Sequence, residues 1–326
     1  MTEVFAVRDK IRDFLRKFDE VITPLFRFIV AFIVFSTMNN LFGYSPLFSK
    51  GVVVFLLSVI SALVSNPLMA AIAAVQIVIS CFAVSLDTGV IALLLFVLMY
   101  CMYMRMFVRC SWVLALVPVL LAWKLGYAVP VIVAVFAGVS GAIPAAFGVL
   151  IYHFAGIVRE ASTMIGTKGA DGEDFVAYSY IIDALTDHKQ LFVMMIGFVI
   201  VVLITALLYK LPYDYSWYVA ILVGGLLTIL VFLIVSAKLS VTLETGALIG
   251  GSLLGIVVAA LLQSIKSMVD YSKKEVVQFE DDDYFYYVKA IPKMGKKEDK
   301  DAKPAPKKKA VADTVKARKQ EELTEQ

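Results

Sequence analysis

Charge is segregated along this chain strongly enough to dictate its class. Of the 30 Lys and Arg residues, 21 lie in the first 27 or the last 61 positions. The sequence between is mostly apolar, with apolar stretches at 24–42, 51–65, 68–85, 89–104, 111–125, 128–157, 190–209, 215–236 and 242–264. Each fits, or nearly fits, the about 20 residues that one bilayer crossing needs. Backbone groups that leave water are satisfied only by helices or by a closed barrel. Barrel strands alternate polar and apolar residues, and these runs do not. The expected fold is therefore all-α, a polytopic membrane bundle of about 8–10 transmembrane or half-membrane helices. A short cytoplasmic β-hairpin and a disordered tail follow it.

Basic residues favour the cytoplasmic side of short membrane flanks, which predicts that both termini are cytoplasmic. Arg105 and Arg109 mark a further cytoplasmic turn, four crossings after the start. Nine apolar stretches nevertheless give an odd count, which would leave the Lys-rich end outside. The discrepancy points to 111–157, where Pro118, Pro130, Gly138, Gly141, Pro144 and Gly148 interrupt the apolar sequence. Proline and glycine break long helices. Two half-helices at 128–137 and 144–157, or an irregular hairpin, are expected in place of one straight span. Alternatively 51–65 and 68–85, joined at Asn66-Pro67, do not both cross.

Composition divides the remainder. Residues 1–23 form an expected amphipathic helix, with Val4, Val7, Ile11, Phe14, Leu15 and Phe18 on one face and basic residues around them, suited to the membrane interface. Residues 24–158 make a first membrane bundle with broken helices at 118–148. An acidic extracytoplasmic loop is expected at 159–189, with a surface helix over 175–185, and a second bundle at 190–265. Residues 266–292 read as the cytoplasmic β-hairpin, since Glu275 to Phe279 and Tyr284 to Val288 are β-prone runs around acidic residues. The Lys-, Ala-, Glu- and Pro-rich segment 293–326 reads as the disordered tail. The bilayer is the main partner. Anionic lipid is expected to attract the N-terminal helix and the tail, and nucleic acid is not expected as a partner.

Few residues invite chemistry. Lys124, Pro130, Gly138, Gly141 and Pro144 surround the broken region and form the candidate substrate pathway, since ionisable groups and irregular backbone inside a membrane mark function. Ser85-Leu-Asp87-Thr-Gly89 echoes Thr242-Leu-Glu244-Thr-Gly246, each just before an apolar run. Asp87 and Glu244 then read as acidic residues at helix starts, favoured there by capping and by the helix dipole. Asp281, Asp282, Asp283, Tyr284, Phe285, Tyr286 and Tyr287 are the candidate partner-binding residues of the hairpin, through strand addition. His153 and His188 have no metal-ligand spacing, and Cys81, Cys101 and Cys110 have no paired-cysteine motif. Gly166-Thr-Lys-Gly169 lacks the pattern of a phosphate loop. No metal or cofactor is expected, and no acid–base set supports an enzyme.

The stretches Tyr178-Ser-Tyr-Ile-Ile-Asp183, Val277-Gln-Phe-Glu-Asp-Asp-Asp-Tyr-Phe-Tyr-Tyr-Val-Lys-Ala290, Val129-Pro-Val-Ile-Val and Ile143-Pro-Ala-Ala-Phe-Gly-Val-Leu-Ile-Tyr152 carry a resemblance. Over about 30–292 the chain resembles a family of polytopic membrane proteins of Gram-positive Firmicutes, of unassigned activity and sometimes labelled transporter permeases. The resemblance implies a multi-pass protein of the plasma membrane and assigns no functional residues. The leading expectation is a permease-like membrane-transport component of unknown substrate, working with a separate ATPase chain if of the ATP-driven kind. The alternative is a membrane scaffold that recruits cytoplasmic partners through 275–292 in cell-envelope processes. Either can be a homo-oligomer.

Overall fold

The computed structural model describes residues 19–48, 50–105, 108–168, 177–212, 215–239, 244–269, 275–280 and 285–290. The expected interfacial helix, the acidic turn at Asp281–Tyr284 and the tail beyond 290 lie wholly or mostly outside them.

Eleven α-helices are present among the described residues. Helix α1 is Asp19–Leu41, α2 Gly51–Leu63, α3 Asn66–Phe82, α4 Leu86–Met99, α5 Ser111–Ala122 and α6 Val129–Phe136. Then follow α7 Ala142–Lys168, α8 Ala177–Asp187, α9 Lys189–Tyr209, α10 Ser216–Leu239 and α11 Thr245–Val269. Five of them contain apolar stretches long enough to cross a membrane, at Val21–Leu41, Gly138–Met164, Lys189–Tyr209, Ser216–Leu239 and Thr245–Lys266. Five shorter apolar helices accompany these. This is a helical multi-pass membrane architecture. Leu25, Phe26, Ile29, Leu94, Leu230 and Leu261 are among many large apolar side chains left exposed, as expected where the solvent is lipid.

Local sequence explains the boundaries. Ser85 caps α4, its Oγ accepting from Thr88 N–H at 3.1 Å, with Asp87 in the first turn. Helix α3 begins after Ser65 with Pro67 in its first turn, where the missing N–H removes no hydrogen bond. A π-helical turn, Tyr100–Met104, prolongs α4 toward Arg105. With 13 residues, α2 is only about 20 Å long, well under the hydrocarbon thickness.

Directions follow from residue pairs. Thr205 lies against Gly224 and Phe232 against Gly197, so α9 and α10 are antiparallel. Tyr218 pairs with Ser264 and Gly225 lies against Ile256, so α10 and α11 are antiparallel too. Cys110, just before α5, contacts Ser140, just before α7, and Val117 lies against Gly148, so α5 and α7 run the same way. Helix α6 runs along α11 in parallel: Tyr127 meets Gly251, Ala128 meets Gly255 and Phe136 meets Lys266.

The stretch 128–157 is therefore two elements. Helix α6 ends at Phe136, a 3-10 turn spans Gly138–Gly141, and α7 sets off again at Ala142. Gly138 has φ +63°, the left-handed conformation that glycine adopts at little cost. The second element is no half-helix. It runs 27 residues to Lys168, so 159–168, expected as loop, is helical. Val158 and Ala161 are buried there and Tyr180 of α8 donates to Glu160, contacts that sustain the helix past the apolar zone.

The second compact unit, Val269–Gln326, contains strands β1 Glu275–Glu280 and β2 Phe285–Ala290. They pair antiparallel, Glu275 opposite Ala290 and Glu280 opposite Phe285.

Candidate functional site

Helix α6 is the core of the candidate site. Eight residues make it about 12 Å long, and every residue from Val129 to Val135 is buried. A helix apolar on all sides belongs inside a bundle, and α6 packs on α7, α9 and α10. Val131, Ile132 and Val135 join Ile221 and Ala259 in one apolar cluster.

Small residues make the enclosure possible. A Cβ on Gly255 would meet Ala128 Cα at 2.7 Å, and one on Gly251 would meet Tyr127 Cβ at 3.3 Å. Gly-lined contacts let backbones approach in membranes, where packing drives helix association. At the far end a Cβ on Gly141 would lie 2.5 Å from Val133 Cγ1 and 2.6 Å from Ala137 Cβ. Gly141, Pro130 and Pro144 are buried, so the break is closely filled in this conformation.

The two ends of α6 carry charge. Lys124, at φ +59° in the turn after α5, reaches both carboxylate oxygens of Glu244 at 3.3 Å. Both side chains are largely exposed, 73% and 68%. At the other end Lys266 Nζ lies 5.5 Å from the Phe136 ring and 5.6 Å from the Tyr209 ring, within cation–π range. Tyr209 in turn donates to the buried Gln263 at 3.1 Å. A short, wholly apolar element is thus flanked by lysines that can extend to polar surroundings at either end.

The structure brings Lys124 together with Glu244, which the sequence offered only as separate candidates, and leaves Asp87 apart in the first turn of α4. Phe285, Tyr286 and Tyr287 lie in β2, and Asp281, Asp282, Asp283 and Tyr284 fall outside the described residues. Sequence reasoning missed Thr205 and Ser252. Both are fully buried, and their hydroxyl oxygens have no hydrogen-bond partner among the described residues. Thr205 sits beside Gly224, and the Ser252 carbonyl lies beside Gly225, on the neighbouring helices of the α6 enclosure. The glycine pair in α10 is the sequence signal that points to them. Also missed was the meeting of the only two histidines, His153 and His188, with ring centroids 4.9 Å apart.

No group of three or more His, Cys, Asp or Glu among the described residues could hold a metal ion. No protein-family model, curated protein or solved structure matches this chain.

Proposed function

We propose that this chain is a permease-like component of membrane transport in the plasma membrane, with both termini cytoplasmic and an unidentified substrate. The observation that carries the proposal is the enclosed, discontinuous element α6–Gly138–α7. Irregular backbone at membrane depth is tolerated where protein or a water-filled path satisfies it, and transporters build substrate sites at such breaks. The close packing of Gly141 on Val133 and Ala137 means that a pathway here opens only if α6 shifts, and α11 is the neighbour it would slide along. The glycine contacts at Gly251 and Gly255 present little side-chain relief to such a shift. Thr205 and Ser252 add buried hydroxyls whose unmet hydrogen bonds a polar passenger would satisfy.

Cysteine accessibility tests this. Single cysteines at Ala128, Ala134 and Ala145, all buried here, are placed in a variant lacking Cys81, Cys101 and Cys110. In proteoliposomes a water-soluble maleimide should label the Ala134→Cys variant slowly, reporting a state in which α6 meets water. Complete protection at all three positions, with the fold intact, removes the support for transport.

A second reading is a membrane scaffold for cell-envelope partners, with the paired strands of the Val269–Gln326 unit as the docking element. Its support is that, among the described residues, β1 and β2 pair only with each other, which leaves an outer edge on each for strand addition. Deleting 275–290 should then abolish partner capture while the bundle persists. Capture unaffected by the deletion excludes that element as the dock.

A further inference from the structure

We propose that His153 and His188 form a proton-operated latch at the corner where α8 turns into α9. The inference concerns this corner alone and holds whether or not the chain transports a solute.

His188 is the N-cap of α9. Its Nδ1 accepts the Leu191 N–H at 3.2 Å, a bond shared with its own carbonyl at 3.1 Å. Histidine can accept at Nδ1 only when that nitrogen has a lone pair, so this cap requires the neutral ring with its proton on Nε2. Protonation would turn Nδ1 into a donor facing another donor. It would also set a cation at the positive end of the α9 dipole. Both changes oppose the start of α9 as built here.

His153 completes the corner. It is buried on α7, with Nε2 at 3.4 Å from the Met194 thioether of α9 and its ring against His188. A thioether is a weak acceptor and offers an imidazolium little. Two rings in contact cannot both charge without repulsion. A first proton on His188 therefore removes the cap, and the adjacent His153 ring disfavours a second proton at this corner.

The surrounding charges do not settle the matter in advance. The charged residues on the elements packed against the corner are Glu160, Asp183, Asp187 and Asp87, with Arg159, Lys189 and Lys238. Tyr152 stacks edge-on against His153. Burial pushes the Tyr180 phenol up, and its hydrogen bond to Glu160 and that residue's charge add to the shift, so it stays neutral. The donor–donor conflict at Leu191 arises whatever these charges do, because it follows from the atom that would carry the proton. His188 is half-buried.

The latch is closed while His188 Nδ1 accepts the Leu191 N–H and opens when that nitrogen is protonated. Hydrogen exchange on the full chain in lipid nanodiscs reads this directly. Between about pH 7.5 and about pH 5, protection of the amides at 190–192, corrected for intrinsic exchange, should fall about tenfold. His188→Asn, which caps without titrating, should hold its protection constant over that range. His188→Ser serves as a second non-titrating cap should the asparagine variant not fold. Equal acid-induced opening in a folded non-titrating variant, or no pH response in the wild type, overturns the proposal.

Discussion

Ala128 and Gly255 touch backbone to backbone. A Cβ added at Gly255 would stand 2.7 Å from Ala128 Cα and 3.0 Å from its Cβ. The obstacle is main chain, which cannot swing away as a side-chain end can. Gly255→Ala should therefore lower stability by about 1–3 kcal/mol, the usual cost of overpacking, and loosen α6 from α11. Gly250→Ala is the control, because nothing lies within 4 Å of that position. It should be neutral or slightly stabilising through helix propensity. Thermal unfolding of both variants in nanodiscs checks the contrast.

Gly138 makes a different demand. Its φ of +63° is the left-handed conformation, and the space where a Cβ would go is open. Any cost of substitution is then backbone strain alone. Gly138→Ala should destabilise by about 1–2 kcal/mol, and Gly138→Asn by less, because asparagine tolerates this region. Equal tolerance of alanine and asparagine would mean that the chain reversal is made elsewhere.

The break itself was legible in the sequence. The odd count of apolar stretches and the crowd of proline and glycine at 118–148 both pointed to 111–157, and the structure puts the interruption at Gly138–Gly141. The first half-helix, expected at 128–137, is Val129–Phe136. The length of α7 was not legible. Its continuation past 157 depends on contacts such as Tyr180–Glu160 that periodicity does not encode. The same reason hid the site. Lys124 and Glu244 are 120 residues apart, and His153 and Met194 are 41 apart. Pairs of this kind leave no local pattern, whereas caps such as Ser85 with Thr88 do.

At Lys124 two small effects compete. The ion pair with Glu244 is largely exposed and worth at most about 1 kcal/mol, less as salt rises. The φ of +59° costs a non-glycine residue about 1–2 kcal/mol. Lys124→Met, which keeps the strain and loses the pair, should cost less than about 1 kcal/mol. Lys124→Gly loses the pair but relieves the strain and should be at least as stable as the wild type. Unfolding midpoints at low and high salt separate the two terms. A large loss in Lys124→Gly would show that the pair holds more than a surface contact.

Gln76 joins α3 to α1 by one long hydrogen bond, Nε2 to the Phe35 carbonyl at 3.3 Å, while its Oε1 is buried without a partner among the described residues. The gain from that single bond is about 0.5–1.5 kcal/mol, and the unsatisfied oxygen offsets an equal or larger amount. Interhelical polar bonds in membranes average no more than this. Gln76→Leu, close in volume and free of the orphan oxygen, should therefore change stability by less than about 1 kcal/mol in either direction. Unfolding of the variant in nanodiscs measures it. A loss above about 2 kcal/mol would mean that Oε1 is satisfied in the membrane by a bound water or solute, and would make the α1–α3 contact a place to look for a ligand.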